Sequence, residues 1–151
     1  MSKNQIFSSI ILFITLVSCN NLNQEIIFHN SHEPTRVNVP FSDAVETNDL
    51  LFLTGQIGKN HSLGKLVEGG IEAETKQVIK NIEDVLNHHD LSLDNVVKCT
   101  VILNDINDIN DFKAFNSVYI KYFTKNPAST TFAASELVGG TSIEIGVIAA
   151  K

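Results

Sequence analysis

Residues 126–151 constrain this chain more than any other stretch. Two apolar, β-prone runs flank Val138-Gly139-Gly140-Thr141. Glycine supplies the positive φ that tight turns demand, so the segment reads as a hairpin. In the second run Ile143, Ile145 and Val147 alternate with Glu144, Gly146 and Ile148, the two-residue period of a strand. That alternation sends Glu144 and the apolar trio to opposite faces of a sheet.

A chain of 151 residues holds one domain plus an appendage. The appendage is the start. Lys3 precedes a short apolar run over residues 6–17, too short for a comfortable membrane span. It ends in Leu16-Val17-Ser18-Cys19, which resembles the lipobox of bacterial lipoproteins. The expectation is a signal peptide over residues 1–18, lipidation of Cys19, a tether over 19–35 and a domain over 36–151. The protein would then be lipid-anchored in a bacterial cell envelope. Within the tether, Ile26-Ile27-Phe28 is the one apolar triplet that can dock as an edge strand. Loss of residues 1–18 takes away Lys3 and no acid, carrying the formal charge from −6 to −7. That acidity, with no basic stripe, argues against nucleic acid as a partner. With Cys19 lipidated, Cys99 has no disulfide partner, and in a strong strand signal it reads as a small buried thiol.

Strands are expected over residues 37–46 and 50–57, joined by the turn-prone Thr47-Asn48-Asp49, with a loop over 61–66. Ile71, Thr75, Val78, Ile82 and Val85 keep helical spacing over residues 71–88, with Glu72, Glu74 and Lys76 outside the stripe. His88-His89-Asp90 ends that helix. Adjacent histidines diverge by about 100° on a helix, so they make a poor metal pair, and no metal site is expected. A strand over 96–103, a capping stretch over 104–108 and a second helix over 109–123 follow. The Asp105/Asp108/Asp111 trio lacks the glycine and bidentate glutamate of a calcium loop and reads as helix capping. The order β-β-α-β-α-β-β implies an α+β fold with two helices on one face of a sheet.

Several motifs carry a resemblance. Pro127-Ala128, Phe132, Leu137 and Ile143-Glu144-Ile145 fit the C-terminal signature of the RidA (YjgF-like) family, imine and enamine deaminases. Pro40-Phe41, Thr54-Gly55-Gln56, residues 95–101 and Asn116-x-x-Tyr119 extend the match over about residues 35–151. The resemblance implies a chorismate-mutase-like α+β fold, a homotrimer, and small-molecule clefts between subunits. It implies hydrolysis of reactive imines or enamines with no cofactor or metal. Glu144 would position or activate the attacking water, and Phe41, Thr54, Gly55, Asn116, Tyr119, Ser129 and Thr131 would line the implied pocket.

One position departs from the pattern. Ser129 stands where the family carries an arginine that holds the substrate carboxylate. A serine cannot reproduce the two parallel charged hydrogen bonds of a guanidinium. The loss is on the order of 1.5–3 kcal/mol, or about tenfold to a few hundredfold in rate. Two readings of different class stay open. One is a hydrolase acting on an imine or enamine that lacks a carboxylate or holds it elsewhere. The other is a non-catalytic lipoprotein that binds a ligand or partner in the same cleft.

Overall fold

The computed structural model describes residues 25–104 and 109–151. Cys19 with its lipobox and residues 105–108 of the capping stretch lie outside them. The fold opens with β1 (Ile26–His29), β2 (Ala44–Thr47), β3 (Leu50–Leu53) and β4 (Gln56–Ile57). A small hairpin of β5 (Lys59–Asn60) and β6 (Lys65–Leu66) leads into helix α1 (Gly70–His88). Then come β7 (Val96–Leu103), helix α2 (Ile109–Tyr122), β8 (Ala128–Ala133) and β9 (Ile143–Ala150). The main sheet runs β1-β2-β3-β9-β7-β8, and β4 continues the β3 line along β9.

Both helices cover one face of this sheet. α1 buries Ile71, Thr75, Val78, Ile79, Ile82, Val85 and Leu86, the stripe its spacing predicts. From the sheet they meet Cys99, Val101 and Leu103 of β7 and Ile143, Ile145 and Val147 of β9. Each fully buried aliphatic chain contributes about 1.5–3 kcal/mol, so this apolar layer holds the helices in place. α2 adds Phe115 and Val118, with Phe123 buried just beyond its end. Asp90 takes a left-handed φ of 58° and stops α1.

Two expectations need correction. Residues 126–136 and 143–148 do not form a hairpin. β9 pairs antiparallel with one edge of β7, and β8 pairs parallel with the other. β7 is eight residues long and apolar on its covered face, so it takes the place between β9 and the edge strand β8. β8, with Ser129, Thr130 and Thr131, suits a sheet edge. A parallel pair needs a crossover, and α2 supplies it. Gly139 and Gly140 do turn the chain, at φ of 74° and 73°, but in a 3-10 turn that leads around the end of β7. Second, residues 37–43 are not strand. Pro34–Arg36 is a 3-10 turn, and the chain then folds back so that Arg36 faces Asp43. Glu74, outside the apolar stripe of α1, is nevertheless buried: it accepts from Ser142 N at 2.7 Å, Ser142 Oγ at 2.8 Å and Thr141 Oγ1 at 2.5 Å. The apolar triplet of the tether does dock, as edge strand β1 on β2, so the sheet begins inside the segment read as a tether.

Candidate functional site

The alternation read in β9 decides where Glu144 points. Ile143, Ile145 and Val147 are buried under the helices, so Glu144 emerges on the uncovered face. There it meets an irregularity. β3 pairs Phe52 with Ile148, and β4 pairs Gln56 with Ile145. Residues 53–55 therefore face only Gly146 and Val147, a one-residue bulge at Thr54-Gly55. The bulge clears a seat for the glutamate. A Cβ on Gly55 would overlap the Glu144 carboxylate, so glycine is required by close approach.

This seat lies in a cavity of about 340 Å³, lined also by Thr35, Arg36, Phe41, Gln56, Lys59 and His61. Burial alone pushes the Glu144 carboxyl above its ordinary value. Arg36 is the only arginine in the chain, and its guanidinium is held from behind. Nη1 donates to Gln56 Oε1 at 3.1 Å, and Nη2 lies 2.8 Å from Asp43 Oδ1. Asp43 is itself buried, and neither carboxylate oxygen has an aligned donor. A guanidinium carries five N–H groups, so two contacts leave donors for a further anion. Burial, and then the charge of Arg36, hold His61 below its ordinary value. Its imidazole is therefore neutral near pH 7.

Of the residues predicted for the site, the structure brings Phe41, Thr54, Gly55 and Glu144 to this cavity. Asn116, Tyr119, Ser129 and Thr131 lie elsewhere. Ser129 pairs with Cys99 and Thr131 with Val101, so both project from the helix-covered face at the β8 edge. Tyr119 of α2 sits beside Cys99 and Ser129, and burial pushes its phenol well above the ordinary range. The Tyr119 hydroxyl is buried with no well-formed hydrogen bond. Asn116 is exposed on the same helix. Glu144 pairs with Ile102, which pairs with Phe132, three residues beyond Ser129. At about 3.3 Å per residue and 4.8 Å between strands, Ser129 and Glu144 are roughly 14 Å apart. They also point to opposite faces. Within one chain they share no cleft.

Sequence reasoning missed Arg36 and His61, because both reach the cavity through loops with no period to read. One signal was present: a lone arginine beside a proline-bounded turn. Lys125, the cation nearest Ser129 in sequence, instead lies 4.0 Å from Asp94, both exposed.

Comparison with known proteins places the chain among relatives of known fold. A family model described as Endoribonuclease L-PSP matches residues 31–151. Protein HMF1 of Saccharomyces cerevisiae is 46% identical over 112 residues, covering 74% of this chain and 84% of that protein. The 2-iminobutanoate/2-iminopropanoate deaminase of Homo sapiens is 40% identical over 111 residues, covering 73% and 79%. Among solved structures, RidA from the Antarctic bacterium Psychrobacter sp. PAMC 21119 superposes with a TM-score of 0.74 at 26% identity, covering 83% of this chain and 99% of that one.

Proposed function

The chain belongs to the RidA (YjgF-like) family, and from that membership we propose that it hydrolyses a reactive imine or enamine at the cavity that holds Glu144. One observation carries the reading: a half-buried carboxyl, raised by burial, rests on a glycine bulge at a cavity of small-molecule size. In the proposed step Glu144 accepts a proton from water as its oxygen bonds to the C=N carbon. The nitrogen takes up a proton, and the carbinolamine collapses by breaking the C–N bond to give a carbonyl compound and ammonia. An enamine first takes a proton on carbon to reach the same imine. The protein called 2-iminobutanoate/2-iminopropanoate deaminase in Homo sapiens is consistent with this class of reaction.

Arg36 supports a modified way of holding an anionic substrate. It offers a guanidinium from the β1–β2 connection, whereas the family arginine would come from β8, where Ser129 stands. The formal charge of −6 and the small cavity suit a compact anion better than a polyanionic nucleic acid. The homotrimer also belongs to this reading. The uncovered sheet face carries Phe28, Phe52, Ile148 and Phe132, and Ser129 and Glu144 require a second chain to approach one another. The lipobox supports a lipid-anchored envelope location, which recovery of diacylated Cys19 by mass spectrometry of a membrane fraction tests.

Ser129 favours the second reading, a non-catalytic trimer that retains the cleft for a ligand or partner. Ammonia release from 2-aminoacrylate generated in situ separates the two. The hydrolase reading expects turnover above the uncatalysed rate that Glu144→Gln abolishes, and an increase of about tenfold or more in Ser129→Arg. Turnover that is absent in both wild type and folded Ser129→Arg, or unchanged in Glu144→Gln, overturns it.

A further inference from the structure

Four of the chain's five histidines gather where the end of β1 meets the end of α1, and none of the four lines the Glu144 cavity. We propose that His29, Glu46 and His89 form a binding site for a borderline dication of the zinc class. One potential ligand atom from each lies within 4.8 Å of the other two.

Three separate elements create this grouping. β1 and β2 pair Ile27 with Glu46 and His29 with Ala44, so His29 and Glu46 are diagonal neighbours on the helix-covered face. His29 Nε2 lies 3.3 Å from Glu46 Oε2. The third ligand depends on how α1 stops. His88 is its last residue, and His89 leaves the helix at φ −109°, ψ 20°. The two rings therefore diverge: His88 stacks on His32 at 4.6 Å, and His89 meets His29 edge-on at 4.5 Å. The sequence argument took both histidines as helical, whereas His89 lies just beyond the helix end. It does not reach His29 and Glu46, which long-range pairing brings to His89.

The chemistry suits zinc, nickel or copper rather than calcium, because two imidazoles and one carboxylate are an N/O donor set of intermediate softness. Zinc bonds of about 2.0–2.1 Å place tetrahedral ligands roughly 3.3 Å apart. The His29–Glu46 separation of 3.3 Å already matches, and the His89 nitrogen, within 4.8 Å of both partners, must close on them by side-chain rotation. Lys151 pairs with Glu46 through Oε1, so Oε2, the oxygen toward His29, stays available to the metal. A plain ion pair accounts for His29, Glu46 and Lys151. It does not use the second imidazole, whose nitrogen lies within 4.8 Å of both. Bound metal would tie the edge strand β1 to the end of α1.

The test is titration of the whole protein with zinc and with cobalt(II) as a spectroscopic probe. One ion per chain should bind, cobalt should give tetrahedral d–d bands without thiolate charge transfer, and zinc should raise Tm by several degrees. His29→Gln, His89→Gln and Glu46→Gln should each weaken binding by about tenfold to a hundredfold or more, and His61→Gln should not. Circular dichroism checks that each variant is folded, and the zinc-dependent rise in Tm should vanish in the three. No zinc binding at micromolar metal overturns the proposal. So does a thiolate band from cobalt, or affinity unchanged in His29→Gln and His89→Gln.

Discussion

Glu144 rests on Gly55 because two local features coincide: a strand whose odd residues are claimed by the core, and a neighbour that bulges by one residue. Both were legible. The alternation fixes the face of Glu144, and a glycine ending a β-prone run marks either a bulge or a close approach; here it marks both. Arg36 and Glu74 were not legible, because their partners Asp43, Gln56, Thr141 and Ser142 come to them only once loops have closed. A carboxyl raised by burial has a definite consequence for pH. Its folded-state value exceeds the unfolded value of about 4.3, so the ionised form is disfavoured by folding. Glu144 therefore costs stability as pH rises through that window, and Glu144→Gln should leave stability near pH 7 equal or slightly higher. Catalysis needs the ionised form instead. On acidification kcat/KM should fall at a pH above the ordinary carboxylate range, and that limb should be absent from any residual activity of Glu144→Gln. A limb at or below the ordinary range would mean that Glu144 is not the base.

At the scale of elements, α1 and the start of β9 are joined by one buried carboxylate. Glu74 accepts three hydrogen bonds from Thr141 and Ser142, and a Cβ on Gly58 would lie 2.6 Å from its side chain. Asn81, two turns further along the same helix face, donates to the carbonyls of Ile57 and Lys59. Together they fix the β4–β5 segment and the start of β9 against the helix, which in turn sets the depth at which Glu144 meets Gly55. Helical periodicity alone leaves Glu74 outside the apolar stripe, since a period records which face is apolar and not which polar residue will be covered. Glu74→Ala strands buried donors and should cost about 2–4 kcal/mol in denaturant unfolding, with Glu74→Gln losing less. The same scale explains the misread hairpin. Two β-prone runs around Gly-Gly look like partners, but β7 offers both of them a longer apolar edge.

At the scale of the molecule, the sheet has one covered face and one that is not. Along a single row of the uncovered face, register aligns Phe28, Val45, Phe52, Ile148 and Lys98, and Phe132 lies further along β8. Phe28 is 68% exposed, Phe132 45% and Phe52 38%. Exposed aromatic side chains gathered on one sheet face suit an association surface. In the proposed trimer, copies of the same chain would cover this face and also address the divided site, a neighbour's β8 edge bringing Ser129, Thr131 and Asn116 toward the cavity that Glu144 lines. Covering a phenylalanine contributes about 1.5–3 kcal/mol, and in a symmetric assembly each substitution removes that amount once per chain. Light scattering of the wild-type protein should give three times the chain mass at micromolar concentration. Phe52→Asp and Phe132→Asp, which change no residue of the covered core, should give folded monomers by circular dichroism. They should also lose imine turnover although Glu144, Gly55 and Arg36 are untouched, because the cleft would lack its second wall. A wild-type monomer with full activity would remove the shared cleft. A Phe132→Asp trimer would show that the apolar face is covered by something other than a second copy.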